Sequence, residues 1–412
     1  MLSIEQQYFI ELMTAFIQKK SAPTVDNIDW VSLCKLAQKQ SLTGVLAYMV
    51  KQLDQNYQPQ NEVKERLEKD YYATIINSTI QDYELKQVWA ALNSKKIIHV
   101  PMKGYVLKTY WPVADLRTMG DIDYLVHEED CEKSRDLLLG LGYKVNLDED
   151  PVWVYQKGTV CLEEHRKIEY QDLILNKRSL LEDCWDNVVP VHDCTYALTL
   201  EYHAMFLIVH LAKHLLNKGC GLRQVMDIAI YFNKFQHDLN WDELWKRFDK
   251  MKLSLFAKRI FSYCYFVFGM SVCQQNCLIN DELFFEQLSI ALFDNGVFGN
   301  AYSVFKIEYR SNHANHTGFS KKWYDLLSVL RFLFPTYATL CQNKKYTYIK
   351  KHPWLIPAAY VNRAFSSIFK NNRKLKHMVA QAVSNYKNAD DESELYSKMG
   401  FVGEEKGLNE DD

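Results

Sequence analysis

Apolar residues recur at helical spacing from Ile4 to about Ser94: Tyr8, Leu12 and Phe16, then Trp30, Leu33 and Ala37, then a long run from about Val63 to Leu92. The spacing predicts an N-terminal helical region over residues 1–94. From Ile97 the apolar runs shorten to strand length. Ile97–Val100, Asp121–Val126, Val152–Tyr155, Thr159–Glu164 and Val188–Val191 read as strands. Helices are expected at Tyr105–Trp111 and Cys131–Leu141, the second stopped by Gly142. Residues 95–195 therefore read as an α/β core. Helical spacing returns from Leu200 to about Tyr386, which makes 196–389 a C-terminal helical region. No period of about 20 to 50 residues repeats along the chain, which argues against a solenoid.

Composition agrees with the helical reading. Only 15 Gly and 9 Pro occur in 412 residues, so turns are sparse, and 48% hydrophobic content excludes a disordered chain. Residues 390–412 are the exception: nine acids against Lys398 and Lys406, with few large apolar groups, predict an acidic disordered tail. The formal net charge of −2 averages that tail with a basic body. Leu326–Ala389 alone holds eleven Lys and Arg and no acid, interleaved with Phe332, Trp354, Tyr360 and Phe365. That stretch fits contact with a polyanion or an anionic membrane surface, and equally a solvated basic face that docks the tail.

Met1–Lys20 is amphipathic and carries Glu5 and Glu11, unlike a signal peptide. The apolar segment Ile260–Val272 is too short to span a bilayer. Ten scattered Cys fit free thiols in a reducing compartment. The expectation is a cytoplasmic protein, peripheral to the membrane if the basic stretch binds lipid.

The candidate chemistry begins at Asp121 and Asp123. Strand side chains alternate, so both carboxylates project from one face while Ile122, Tyr124 and Val126 enter the other. Two acids so close repel unless a cation lies between them, and hard oxygen ligands favour Mg2+ or Mn2+. Taken alone, Asp-x-Asp also fits a solvated strand start. Upstream, the strand at Ile97–Val100 runs into Lys103-Gly104, where a helix begins. A helix start binds phosphate through free N–H groups, Gly admits close backbone approach and Lys adds a point charge. Arg117 either clamps a phosphate oxygen or braces Asp121.

Further along, His210 and His214 share a helix face, with His203 two turns earlier. A zinc site and a pocket-lining role both fit them, although Leu211 leaves the HExxH base absent. Arg223 and Asp227 stand at i, i+4, as a helix ion pair or as pocket-facing groups. No Walker loop, dinucleotide fingerprint or Gly-x-Ser-x-Gly elbow supports a P-loop, Rossmann or hydrolase reading.

The run Pro101-Met102-Lys103-Gly104, Tyr110-Trp111-Pro112, Leu116–Val126 and Leu141-Gly142-Tyr143 resembles the uncharacterised nucleotidyltransferase family of the DNA polymerase beta-like superfamily. That family similarly continues with a strand ending in an acid and a His, here Glu163-Glu164-His165. A helix with paired His follows, here His210–His214, and then an Arg and an Asp, here Arg223 and Asp227. The likeness covers about Ile97 to Phe232.

The resemblance implies an α/β nucleotidyltransferase-fold core with a mixed sheet, embedded in a predominantly α-helical protein. It implies metal-dependent transfer of a nucleoside monophosphate from an NTP to an acceptor hydroxyl, with release of pyrophosphate. Asp121, Asp123 and a third carboxylate would be the catalytic residues and hold Mg2+ or Mn2+. Register with the acid-x-His pattern selects Glu163 as the third, with Glu164 the alternative. Lys103, Gly104, Arg117, His165, His210, His214 and Arg223 would contact the nucleotide. The superfamily commonly has Gly-Ser at the phosphate turn, where this chain has Lys103-Gly104. The competing reading is a catalytically weak nucleotide-binding or antitoxin-like module: the Asp pair favours the enzyme and the altered turn the module.

Overall fold

Side chains set the helix starts at several points along the chain. Ser3 and Gln6 close a capping box, each side chain accepting the other's backbone N–H, at the head of α1 (Ile4–Ile17). Asp29 accepts from Val31 N and Ser32 N to open α2 (Trp30–Lys39). After α3 (Thr43–Val50), α4 (Asn61–Ser94) runs for 34 residues, about 51 Å of helix. The computed structural model describes residues 1–149, 151–168, 181–217, 219–271, 275–297 and 299, and beyond these only 337, 340, 346, 348–349, 352–360, 362 and 389–401.

The α/β part follows as β1 (His99–Pro101), α5 (Lys103–Lys108), β2 (Ile122–Val126), α6 (Cys131–Gly140), β3 (Lys144–Glu149), β4 (Val152–Lys157), β5 (Val160–His165), β6 (Val188–His192) and β7 (Thr195–Leu198). The strands form one mixed sheet in the order β3-β4-β5-β2-β1-β7-β6. β2 runs parallel to β5 and antiparallel to β1, while β1 runs parallel to β7. The helices α7 (Leu200–Asn217), α8 (Leu222–Phe235), α9 (Trp241–Lys250), α10 (Ser254–Phe268) and α11 (Glu282–Asn295) complete this unit, which spans residues 1–299. A mixed sheet inside a mostly helical chain is thus the fold.

Two elements differ locally from the sequence pattern. The helix expected at Tyr105–Trp111 begins earlier, at Lys103, and ends before Trp111. Trp111 instead packs its ring 5.8 Å from Phe16 and donates Nε1 to Asp227, which draws it away from helical continuation. The strand β3 lies outside the expected strands, although Val145 and Leu147 alternate with Lys144, Asn146 and Asp148, and it pairs antiparallel with β4.

One face of the sheet makes the core. Ile122, Tyr124 and Val126 of β2, with Tyr155 and Leu162 of the neighbouring strands, pack against Leu85, Val88 and Leu92 of α4 and Leu138 of α6. Leaving that apolar face would cost roughly 1.5–3 kcal/mol per large side chain. Gln40 ties the helical parts together: it accepts from Leu222 N at the start of α8 and donates to Leu292 O in α11, fully buried.

The second unit, residues 300–412, contains a small cluster of Leu340, Tyr346, Ile349 and Ala359 and a helix, α12 (Ala389–Lys398). The disordered tail expected from residue 390 is corrected at its start. Residues 389–398 are helical, with Leu395, Tyr396 and the following Met399 buried, because these apolar residues punctuate the acids. Most of the basic stretch Leu326–Ala389 lies outside the described residues. Among the described residues no helix is long and apolar enough to cross a membrane.

Candidate active site

The face of β2 and β5 opposite the core carries the polar residues. Parallel pairing puts Asp123 level with Glu163, and the two-residue period brings His165 onto the same face as Glu163. Asp123 is buried and its Oδ1 accepts from His165 Nε2 at 2.8 Å and from Lys103 Nζ at 2.5 Å. Glu163 Oε2 lies 3.7 Å from His165 Nε2. The register step sends Glu164 the other way, into the core, where its Oε2 accepts from Tyr124 Oη at 2.7 Å and from Ser134 Oγ.

A cleft of about 800 Å³ opens here. Its floor is Asp121, Asp123, Cys161, Glu163 and His165; its walls are the Lys103-Gly104 turn, Arg117, and Phe206, His210, His214 and Arg223 from α7 and α8. Every residue singled out as a nucleotide or metal contact lines this one space except Glu164 and His203.

Electrostatics at the floor are strained. Burial pushes the Asp123 carboxyl up, but the Lys103 ammonium and His165 together hold it well below the usual carboxylate range. Burial and then the charge of Asp123 push Asp121 up. Burial and the charges of Asp123 and Asp121 push Glu163 up to about 7. Three carboxyls crowd together at the floor around one ammonium, and a divalent cation bound there would relieve their mutual repulsion. Among the described residues, Asp123, Glu163 and His165 have ligand atoms within 4.8 Å of one another, a spacing that suits a shared metal. Asp121 lines the same cleft outside that group.

The cationic wall differs from the sequence reading. Arg117 does not brace Asp121: its Nε and Nη2 donate to Asp227 at 2.9 and 2.7 Å, both partners buried. Asp227 also accepts from Trp111 Nε1 at 2.8 Å, so Arg223 does not form the i, i+4 ion pair. Arg223 Nη1 instead donates to Thr118 O and Oγ1, at 2.8 and 2.6 Å. Burial, then the neighbouring Arg117 charge, push Arg223 down to about 10. A Cβ on Gly104 would meet Arg117 Nη1 at 2.6 Å, so the glycine makes room for this arginine.

The histidines separate. His210 and His214 place their Nε2 atoms 2.9 Å apart in the cleft, and burial and the Lys103 charge hold His210 well below the ordinary imidazole range. His203 is buried with its ring against Tyr231 at 5.0 Å, and burial pushes it down to about 4. The three do not form a metal group among the described residues.

A family model described as an uncharacterised nucleotidyltransferase matches residues 26–269. The chain belongs to this family. The match covers the sheet, the cleft floor and the walls from α7 and α8, so this nucleotidyltransferase-family chain carries its acids and cations inside the family region. No curated protein matches the chain at a significant level. Two similar solved structures are a solution structure of the antibiotic-resistance factor ANT(2'')-Ia and a crystal structure of ANT(2'')-Ia in complex with adenylyl-2''-tobramycin. The first is 11% identical, with 43% of this chain and 96% of that chain covered and a TM-score of 0.33. The second is 9% identical, with 43% and 97% covered and a TM-score of 0.32.

Two relations at this site were not legible in the residue order alone. The Arg117–Asp227–Trp111 cluster joins residues more than a hundred positions apart, and nothing local announces it. Cys161 shares a face with Glu163 and His165 by the same two-residue period, a signal that was legible once β5 was assigned. Its thiol is pushed up to about 11, by burial first and then by Glu163.

Proposed function

We propose that this protein transfers a nucleoside monophosphate from a nucleoside triphosphate to an acceptor hydroxyl. The hydroxyl oxygen bonds to the α-phosphorus, the α–β phosphoanhydride breaks and pyrophosphate leaves. The observation that carries this reading is the in-register pair Asp123 and Glu163, beside Asp121, facing a cationic wall in a chain of the nucleotidyltransferase family. Asp121, Asp123 and Glu163 would hold Mg2+ or Mn2+, which when bound supplies charge neutralisation for the triphosphate and the attacking oxygen. Lys103, Arg223 and the backbone at Gly104 bind and orient phosphate oxygens, and Arg117, fixed by Asp227, presents Nη1 beside that turn. His210 and His214 close the wall opposite the acids, and His165 fixes the Asp123 carboxylate by hydrogen bond. A carboxylate of this acidic group would take the hydroxyl proton as the oxygen attacks.

The alternative, a nucleotide-binding or antitoxin-like module without transfer, draws on the ion pair of Lys103 with Asp123 and on Arg117 filling the space beside Gly104. Incubation with each α-labelled NTP and Mg2+ or Mn2+, alone and with cell extract, decides between them. Transfer that is lost in Asp121→Ala/Asp123→Ala supports the enzyme; equal labelling by both proteins overturns it. We place the protein in the cytoplasm, with Leu326–Ala389 as its contact to a polyanion or anionic surface. Binding to anionic vesicles that survives neutralisation of those lysines overturns the surface role.

A further inference from the structure

Lys103 stands where the turn departs from the superfamily pattern, and its backbone is unusual. Its φ is +48°, the left-handed region that a lysine enters at a cost of about 1 kcal/mol. From that turn the side chain reaches into the cleft. Nζ reaches Asp123 Oδ1 at 2.5 Å, the same oxygen to which His165 donates, in a site where the Lys103 side chain is 17% and the Asp123 side chain 4% exposed. Among the described residues, Asp123 belongs to the one group of acids and histidine spaced to share a metal. An ammonium and a divalent cation cannot both approach one carboxylate oxygen so closely without strong repulsion.

We infer that Lys103 is a built-in counter-ion of the cation site, which a divalent metal displaces from Asp123, and that the released ammonium then binds the triphosphate. The inference rests on the proposed function and deepens it: one lysine couples metal binding to nucleotide binding. Without metal, Lys103 neutralises Asp123 and blocks the site. Once metal takes Asp123, the ammonium loses its carboxylate and turns to the nearest anion, the phosphate chain at the Lys103-Gly104 turn. Neither state needs a change of fold, only a new side-chain rotamer of one residue.

The test measures Mn2+ binding by calorimetry, and nucleotide binding with a non-hydrolysable NTP analogue in saturating Mn2+, in wild type, Lys103→Gln and Lys103→Gly. Glycine accepts the positive φ without strain, so the second variant keeps the turn folded, which a thermal melt verifies. The expected result has opposite signs: Mn2+ binds about tenfold tighter in both variants, and the nucleotide analogue about tenfold weaker. Mn2+ affinity that is unchanged or weaker overturns the counter-ion role. Tighter Mn2+ with unchanged nucleotide affinity overturns the hand-over to phosphate. A wild type that transfers label while both variants bind Mn2+ as it does defeats this inference alone; a wild type that binds no Mn2+ defeats the proposed function with it.

Discussion

Asp227 holds the Arg117 guanidinium by two of its nitrogens, Nε at 2.9 Å and Nη2 at 2.7 Å, from a helix 110 residues further along the chain. The pair is buried and fixes the third guanidinium nitrogen beside Gly104. It therefore links α8 to the turn that opens the cleft.

Breaking that link leaves a buried guanidinium without its carboxylate. Asp227→Ala is expected to lower unfolding stability by about 3–5 kcal/mol in urea titration. The double variant Arg117→Met/Asp227→Leu, which removes both charges, is expected to recover much of the loss. Equal loss in single and double variants refutes the ion-pair account.

Gly104 is constrained by the same arginine. Gly104→Ala puts a methyl 2.6 Å from Arg117 Nη1 and 3.3 Å from Met119 Cγ. The expected outcome is a destabilisation of about 1–3 kcal/mol together with weaker nucleotide binding, because Arg117 must leave its place. A variant with wild-type melting and wild-type nucleotide affinity contradicts this.

Metal affinity should depend on pH through Glu163. Its folded carboxyl lies at about 7, raised by burial and by the Asp123 and Asp121 charges, and a cation binds the ionised form. Mn2+ affinity is expected to climb from about pH 6 to about pH 8 in wild type, and to be lower and nearly flat with pH in Glu163→Gln. Calorimetry at several pH values reads both slopes directly.

Glu164 makes the opposite kind of pH statement, about stability. Burial raises it from 4.5 to about 7 in the folded chain. A raised folded value means the contribution is fully present below about pH 4.5 and is lost as pH rises through about 7, because the folded state then holds a buried charge. Relative to Glu164→Gln, the wild type is expected to lose about 2.5 kcal/mol between pH 5 and pH 8. Parallel pH profiles for the two proteins count against a buried neutral Glu164.

Much of the cleft floor was legible in the residue order. Alternation along β2 and β5 is a local property, so Asp121 and Asp123, then Glu163 and His165, could be assigned to one face before any contact was known. The same alternation sent Tyr124 and Glu164 to the core face, where they meet. The histidine pair on α7 was legible as a shared face for the same reason.

What the sequence by itself determined is much of the order of helices and strands, though not β3 or β7, together with the polar face of β2 and β5 and the residue types on it, because each follows from periods of two and of 3.6 residues. Only the tertiary structure decided the partners. The i, i+4 spacing offered Arg223 to Asp227, but folding brought Arg117 and Trp111 to that carboxylate and left Arg223 to Thr118. Likewise Lys103 could have followed the helix start outward, and its side chain reaches Asp123 instead. A buried charge takes whichever counter-charge the packing supplies, and packing joins positions that no local period relates.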